Sequence, residues 1–361
     1  MLQTTLHDWH VEHGGRMVDF AGWHMPVQYT SITEEHQAVR TNVGLFDISH
    51  MGRLRFDGPH ASPFLDRLLT NNVAALKSGR IRYSLVCRED GGILDDVLVY
   101  RLNGSYMLVV NASNREKILQ WINQQRAEFE FSSIDGTTET CMIAIQGPQA
   151  LQTLAPLVPV DLTRMKYYTA VESEFDGHSL LVSRTGYTGE DGFEVIINAQ
   201  QGPPLWEQLI AAGALPCGLG CRDTLRLEAA MPLYGHELDE SIDPLTAGLH
   251  FAVKLDAGDF IGREALLALR DAPTDLTRIG LALDGKRIAR EGAQLFTNDG
   301  QNIGRVTSGT FSPTLEKPIA MGYIARSHSQ PGSVVDVDIR GKRQPADIVP
   351  LPFYKRDRNA S

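Results

Sequence analysis

The pattern of hydrophobic and polar positions in the first third of the chain predicts two helices. Residues 33–43 (TEEHQAVRTNV) carry acidic side chains in their first turn and are followed by Gly44, a residue that commonly ends a helix. Residues 59–69 have Pro59 close to their start, where a proline fits the first turn. We therefore interpret both segments as helices.

The next segment predicts a β-hairpin that leads into a helix. Two β-rich runs, ILDDVLVYRL (93–102) and SYMLVVNA (105–112), flank Asn103-Gly104, a dipeptide that favours a tight hairpin turn. The segment NREKILQWINQQ (114–125) then has the apolar spacing of an amphipathic helix. A hairpin followed by a helix favours an α+β fold over a doubly wound parallel sheet.

The last quarter of the chain has a different pattern. Residues 268–278 (ALRDAPTDLTR) are interpreted as a linker, and residues 279–361 as a separate domain. In that domain, turn signals separate short β-rich segments at intervals of roughly 8 to 12 residues, which is typical of a small all-β barrel or sandwich. The segments are IGLALDG, AQLFTNDGQNIGRV, AMGYIA, SVVDVDIRG and ADIVPLPF.

The stretch SRTGYTGEDGFE (183–194) is the most informative local pattern. Its density of glycine and threonine predicts a tight turn between two strands. Such a turn can place the carboxylate of Glu194 in the wall of a pocket, where it would pair with an N–H beside an exocyclic amine, as on a pterin or guanine edge. The alternative is a hairpin with a solvated acidic tip.

Two adjacent aspartates, Asp95 and Asp96, interrupt an apolar strand pattern. Successive side chains of a strand point to opposite faces, so at most one of the two faces a common pocket and they do not form a paired acid–base dyad. Burial of such carboxylates is costly without partners, which favours a functional role. The alternative is a strand that begins at Val97 and leaves both aspartates in solvent.

Residues 218–238 predict a glycine-rich entry into a helix that ends near Met231-Pro232. The entry can hold Arg222 over an anion or a carbonyl group. The alternative is ordinary ion pairing along the helix, for example between Asp223 and Arg226.

Composition limits the classes of function. The chain has 361 residues, enough for two or three domains, and a formal net charge of −10, which argues against general nucleic-acid binding. No segment has the roughly 18 consecutive apolar residues of a membrane span, and the N-terminus lacks a signal-peptide pattern, so a cytoplasmic protein is expected. The four cysteines suit reduced thiols better than a disulfide framework.

Metal chemistry is not expected. The sequence HELDE at 236–240 lacks the second histidine of HExxH, and Cys217 and Cys221 have no second cysteine pair. Histidines 7, 10 and 13 are interpreted as one solvated face of a helix.

Several long motifs in register resemble one family, the aminomethyltransferases or T-proteins of the glycine cleavage system. The resemblance runs from about residue 6 to the PFY at 352–354. The motifs that carry it, besides RTGYTGEDGFE, are FAGWHMPVQY (20–29), GLFDISHMG (44–52), GGILDDVLVY (91–100), GLGCRDTLRLEAAMPLYGHEL (218–238), KRIAREG (286–292) and VTSGTFSPTLEKPIAMGY (306–323).

The resemblance implies a fold and a set of site residues. The fold is α+β, a folate-binding multi-domain fold with two interleaved α/β-plait-like domains within residues 1–267 and a C-terminal all-β barrel. Asp96 takes the catalytic position of the family. The implied folate contacts are Met51, Tyr83, Tyr100, Asn111, Tyr187, Glu194, Arg222 and Tyr234.

The resemblance also implies a reaction and a partner. The one-carbon unit on the aminomethylated dihydrolipoyl arm of a carrier, the H-protein, passes to tetrahydrofolate, with no metal or flavin. Alternatives are a folate-dependent demethylase of the same superfamily and a non-enzymatic folate-binding iron–sulfur assembly factor. If the carrier is acidic, as in the family, docking is expected at Lys286-Arg287 with Arg290, and at Lys342-Arg343.

Overall fold

A computed structural model of the chain describes residues 1–357. Its α-helices are short, and most of them bury one face against a sheet. In chain order they are α1 (His7–Glu12), α2 (Ile32–Thr41), α3 (Ala61–Leu68), α4 (Arg115–Gln125), α5 (Ala150–Leu154), α6 (Gly202–Ala211), α7 (Leu219–Glu228) and α8 (Arg263–Asp271).

The strands before the C-terminal region build a hairpin and two larger sheets. They are β1 (Arg16–Phe20), β2 (Trp23–Gln28), β3 (Gly44–Asp47), β4 (Gly52–Asp57), β5 (Arg80–Cys87), β6 (Ile93–Arg101), β7 (Tyr106–Val110), β8 (Ser132–Asp135), β9 (Thr140–Gln146), β10 (Ala170–Phe175), β11 (His178–Ser183), β12 (Gly192–Asn198) and β13 (Leu215–Pro216). The C-terminal strands are β14 (Leu276–Leu283), β15 (Gln294–Phe296), β16 (Asn302–Ser312), β17 (Lys317–Ala325), β18 (Val334–Ile339) and β19 (Lys342–Val349).

The elements predicted from local pattern are confirmed within a few residues. The predicted helices at 33–43, 59–69 and 114–125 correspond to α2, α3 and α4. Ser31 caps α2 by accepting a hydrogen bond from the backbone N–H of Glu34. The predicted hairpin is β6–β7, and Gly104 in its turn has φ +80°, a conformation that glycine adopts without strain.

The two large sheets are interleaved in sequence. A six-stranded sheet has the order β10-β11-β12-β9-β3-β13, and a five-stranded sheet has the order β5-β6-β7-β4-β8. The chain therefore leaves the first sheet after β3, builds the whole second sheet, and returns to the first at β9. Asp96 therefore lies in the five-stranded sheet, whereas Glu194 and the turn before it lie in the six-stranded sheet that encloses it in sequence.

The C-terminal region is a closed barrel of order β14-β17-β16-β15-β18-β19, as the short β-rich runs predicted. The linker predicted at 268–278 is too long. The helix α8 continues to Asp271, and its inner face buries Leu266 completely, so residues 268–271 belong to a packed helix and not to a linker. Residues 276–278 already pair with β17. The boundaries 1–267 and 279–361 stay predictions, and residues 358–361 lie outside the described part of the chain.

One face of α1 is buried, contrary to the prediction of a solvated histidine face. His10 is fully buried, and its Nε2 lies 2.9 Å from Oδ2 of Asp47. Its Nδ1 lies 2.8 Å from the hydroxyl of Tyr29. His13 is exposed and stacks on Trp9. A carboxylate 37 residues away in sequence decides the burial of His10, and the local spacing gives no sign of it.

Candidate active site

The strand β6 contains both predicted aspartates, so the alternative of a strand that begins at Val97 is wrong. Asp95 is fully buried, whereas Asp96 is partly exposed. The hydroxyl of Tyr83, on the neighbouring strand β5, donates a hydrogen bond of 3.0 Å to Oδ2 of Asp96. The two carboxylates thus lie on opposite faces of the strand, as the two-residue period requires.

Asn111 connects the two faces at the end of β7. Its backbone N–H and its side-chain amide donate to Asp95 at 3.0 Å and 2.8 Å, and the amide also lies 2.8 Å from Oδ1 of Asp96. Asn114 donates a further bond of 2.6 Å to Asp95. The inner carboxylate is therefore held by three N–H groups, and the outer one keeps an exposed edge.

Burial raises the pKa of both aspartates above the ordinary range. For Asp95, the charge of the neighbouring Asp96 raises the pKa further. For Asp96, hydrogen bonds from Tyr83 and Asn111 oppose the effect of burial, and the pKa is about 6. Asp96 is therefore largely ionised at pH 7 but close enough to neutrality to exchange a proton.

The predicted turn at 183–194 connects β11 and β12, which pair in antiparallel register with Ser183 opposite Glu194. Glu194 is only 5% exposed and accepts a hydrogen bond of 2.5 Å from Oγ1 of Thr185. The alternative, a solvated acidic tip, does not describe Glu194. The acidic residue nearer the solvent in this turn is Asp191, which is partly exposed and pairs with Arg184. Burial raises the pKa of Glu194, while Thr185 and the charge of Arg222 lower it.

Arg222 is brought close to this carboxylate by the start of α7. A Cβ atom on Gly218 would come 2.3 Å from the backbone carbon of Val27, so glycine allows the helix to approach β2 closely. The ion pair named as the alternative, between Asp223 and Arg226, is present at 2.8 Å and does not involve Arg222. The helix ends at Glu228, before the predicted Met231-Pro232.

The guanidinium of Arg222 has aromatic neighbours but no hydrogen-bond partner among residues 1–357. It lies 4.8 Å from the ring centre of Tyr187 and 6.0 Å from that of Phe46. Its Nη1 is a buried donor without an acceptor. Burial lowers the pKa of Arg222 and the charge of Glu194 raises it, although no ion pair within 4.0 Å joins these two. A buried acceptor, Glu194, and a buried donor, Arg222, thus influence each other through charge without bonding directly.

The remaining predicted contacts surround the same region. Tyr100 lies 3.4 Å from Oγ of Ser183, Tyr187 donates to the carbonyl of Pro232, and Tyr234 donates to the carbonyl of Ile93 at 3.1 Å. Met51 packs in the apolar cluster that also contains Phe46, Tyr100 and Cys221. Burial raises the pKa of Tyr187 most, and the charge of Asp96 raises it further, whereas the charge of Arg222 lowers it. Tyr187 therefore lies within electrostatic range of both Asp96 and Arg222. The roles of these residues stay predictions.

Sequence reasoning missed Thr185 and Tyr168. Thr185 connects Glu194 to Ser183, whose Oγ lies 3.1 Å from its hydroxyl. Tyr168 has φ +58°, an uncommon conformation for a tyrosine, and both burial and the charge of Glu194 raise its pKa. The threonine stood inside the highlighted turn, whereas no local signal pointed to Tyr168. In the described part of the chain, no group of three metal-ligating side chains occurs, and no helix is long and apolar enough to cross a membrane.

Comparison with known proteins identifies the family of this chain. Residues 6–257 match the family model described as the GCVT N-terminal domain, and residues 277–355 match the glycine cleavage T-protein C-terminal barrel domain. Proteins named aminomethyltransferase from Saccharopolyspora erythraea and Rubrobacter xylanophilus are 46% and 48% identical, over 98% and 99% of this chain and 98% and 96% of theirs. The crystal structure of glycine cleavage system aminomethyltransferase T from Bartonella henselae matches with a TM-score of 0.93 and 35% identity over 98% of both chains. The chain therefore belongs to the aminomethyltransferase (T-protein) family of the glycine cleavage system.

Proposed function

We propose that this protein transfers a one-carbon unit from the S-aminomethyldihydrolipoyl arm of a carrier protein to tetrahydrofolate. The products are 5,10-methylenetetrahydrofolate, ammonia and the dihydrolipoyl carrier. The observation that carries the proposal is that Glu194 and Arg222, two buried groups of opposite charge, do not pair directly.

A pterin fits the chemistry of these two groups. One edge of the ring presents an N–H beside an exocyclic amine, which a carboxylate such as Glu194 accepts as two charge-assisted hydrogen bonds. Elsewhere the ring presents carbonyl and nitrogen acceptors, for which the free Nη1 of Arg222 is a donor. Without such a ligand, Glu194 would keep only the hydrogen bond from Thr185, and Nη1 of Arg222 would stay buried without an acceptor, which is costly.

Asp96 is suited to the proton and charge changes of the reaction. Its ionised form would orient N10 of the folate and assist the loss of the N10 proton as the new ring closes. The negative charge would also stabilise the iminium-like cation that develops. Tyr83 and Asn111 fix the carboxylate by hydrogen bonds, so little reorganisation is needed when the charge appears. Holding N5 beside the transferred carbon supplies the remainder of the rate enhancement.

Ammonia release tests the proposal directly. The purified protein is mixed with the aminomethylated carrier, with and without tetrahydrofolate, and free ammonia is measured. Folate-dependent release is expected. Folate binding without release would instead favour the iron–sulfur assembly factor, and activity on N-methyl or sulfonium substrates would favour a demethylase.

The pH dependence follows from the raised pKa of Asp96. Since the ionised carboxylate is the active form, kcat/KM for tetrahydrofolate is expected to be high above pH 6 and to fall as pH decreases through about 6. An unperturbed aspartate would give this limb near pH 3.9. Tyr83→Phe removes a hydrogen bond that lowers the pKa, so the limb should move to higher pH. An unmoved limb would assign the titration to another group.

A basic groove on the barrel is proposed as the docking site of the carrier. It has a volume of about 630 Å³ and is lined by Lys286, Arg287, Arg290, Arg340 and Lys342, against the acidic Glu291 and Asp338. The two predicted clusters thus come together, with one correction: Arg343 stacks on Phe296, because adjacent residues of β19 point to opposite faces. His236 Nδ1 lies 3.2 Å from Glu291, which joins the groove to the segment carrying Tyr234.

Charge reversal in this groove is expected to weaken docking only. The double variant Lys286→Glu/Arg287→Glu should raise KM for the carrier several-fold and flatten its salt dependence, because rim charges act mainly on association. KM for tetrahydrofolate should not change. Arg343→Glu, on the other face of the strand, is the matched control. Equal effects on both substrates, or a stronger effect of Arg343→Glu, would place docking elsewhere.

A further inference from the structure

A buried arginine outside the proposed site holds the turn between β11 and β12. Arg40 on α2 has a side chain only 4% exposed. Its Nη1 donates to the backbone carbonyl of Thr188 at 2.8 Å and to Oε1 of Glu190 at 2.9 Å. Thr188 directly follows Tyr187 and Glu190 stands three residues after it, so one guanidinium group fixes the backbone next to this tyrosine.

The other edge of Arg40 binds the C-terminal end of α7. Its Nε and Nη2 lie 3.1 Å and 2.8 Å from Oε2 of Glu228, the last residue of that helix. Arg222 stands six residues earlier on the same helix. The guanidinium group of Arg40 therefore connects the turn to the helix, and these are the elements that precede Glu194 and carry Arg222.

The barrel region completes this contact. The backbone N–H and the hydroxyl of Thr314 donate to Glu228 at 3.1 Å and 2.8 Å, and Ser312 donates as well. The ring of Tyr354, which follows the last barrel strand, lies 4.0 Å from the guanidinium carbon of Arg40. His36 on α2 adds a contact of 3.2 Å to the same carboxylate.

We propose that Arg40 is a positioning residue for the proposed folate site at Glu194 and Arg222. The barrel then sets the spacing between these two residues through Thr314 and Glu228. The inference rests on the proposed function for the identity of the ligand. It assigns to the barrel a second role besides docking. The turn belongs to the six-stranded sheet, whereas α7 packs against β2 and β16. Within residues 1–357, Arg40 is the one arginine whose guanidinium group bonds both to the turn and to α7.

The chemistry of the contact makes arginine specific at this position. Glu190 and Glu228 lie on opposite sides of a planar group that offers five donors in a fixed geometry, and an aromatic ring covers one face of it. A lysine would keep the charge but could not bridge both carboxylates and the Thr188 carbonyl in this fixed arrangement. The substitution therefore separates charge from geometry.

Two variants test the inference from opposite ends of the network. Arg40→Lys loosens the turn directly, and Thr314→Val removes the barrel hydroxyl at nearly constant side-chain volume. Both are expected to raise Kd and KM for tetrahydrofolate by about three- to thirtyfold, the range of couplings transmitted through packed networks. KM for the carrier should stay within about twofold of the wild type, because neither residue lines the groove.

The matched control is Arg115→Lys. Arg115, the first residue of α4, forms a partly buried ion pair with Asp135 at the end of β8, outside the turn and α7. It should lower the unfolding temperature without changing KM for tetrahydrofolate. Amide hydrogen exchange of residues 184–191, measured without folate, should increase in Arg40→Lys and Thr314→Val but not in the control.

The outcomes separate the inference from the proposed function. If both variants lose thermal stability while folate affinity and exchange at 184–191 stay at wild-type values, the network is only structural and the inference is wrong. If the wild-type protein itself fails to bind tetrahydrofolate, the proposed function is wrong. Faster exchange of the turn in the two variants would then still support the positioning role.

Discussion

Asp96→Asn is expected to lower turnover by about 10²–10⁴-fold, the range for removal of a general acid–base group. Affinity for tetrahydrofolate should stay within about tenfold, because most binding groups lie elsewhere. An asparagine can still accept the hydrogen bond from Tyr83 but carries no charge and cannot take a proton from N10. Steady-state turnover and calorimetric titration of the same preparation measure both quantities.

Asp95→Asn is the matched control for this prediction. Its side chain is fully buried and accepts three hydrogen bonds from Asn111 and Asn114. An amide there would place an NH₂ group against a donor, so the expected loss is in unfolding temperature, with a smaller effect on turnover. If Asp95→Asn abolishes turnover and Asp96→Asn is mild, the inner carboxylate is the catalytic one.

Glu194→Gln is expected to weaken tetrahydrofolate binding by about 2–3 kcal/mol, the range for losing a charge-assisted pair. An amide cannot accept both N–H groups of the pterin edge, and one side of the pair becomes a contact between two donors. Because Glu194 is only 5% exposed, water cannot easily replace the lost interaction. Isothermal titration calorimetry gives the difference directly.

The control for Glu194 lies in the same turn. Asp191→Asn changes the partly exposed acid that pairs with Arg184 and should leave the affinity within about twofold. Unchanged affinity in Glu194→Gln would remove the pterin from this turn. A large effect of Asp191→Asn instead would favour recognition at the exposed tip.

Local pattern alone determined several elements of the secondary structure. The acidic first turn of α2, the proline near the start of α3, the apolar spacing of α4, the Asn103-Gly104 turn and the recurrent short strands of the barrel depend on neighbours in sequence, and each element was predicted within a few residues. The same holds for the opposite facing of Asp95 and Asp96, which follows from the two-residue period of any strand. The tight turn before Glu194 was likewise visible in its glycines and threonines.

Tertiary structure decided which of these side chains meet. Arg40 and Glu228 are 188 residues apart, and Tyr100 and Ser183 are 83 apart, so no local window contains both partners. The spacing along α7 already paired Arg226 with Asp223, but only packing shows that Nη1 of Arg222 is buried with no acceptor within residues 1–357. Burial and charge act through space, so the buried groups Glu194 and Arg222 and the basic groove of the barrel come about only once the interleaved sheets and the barrel have assembled.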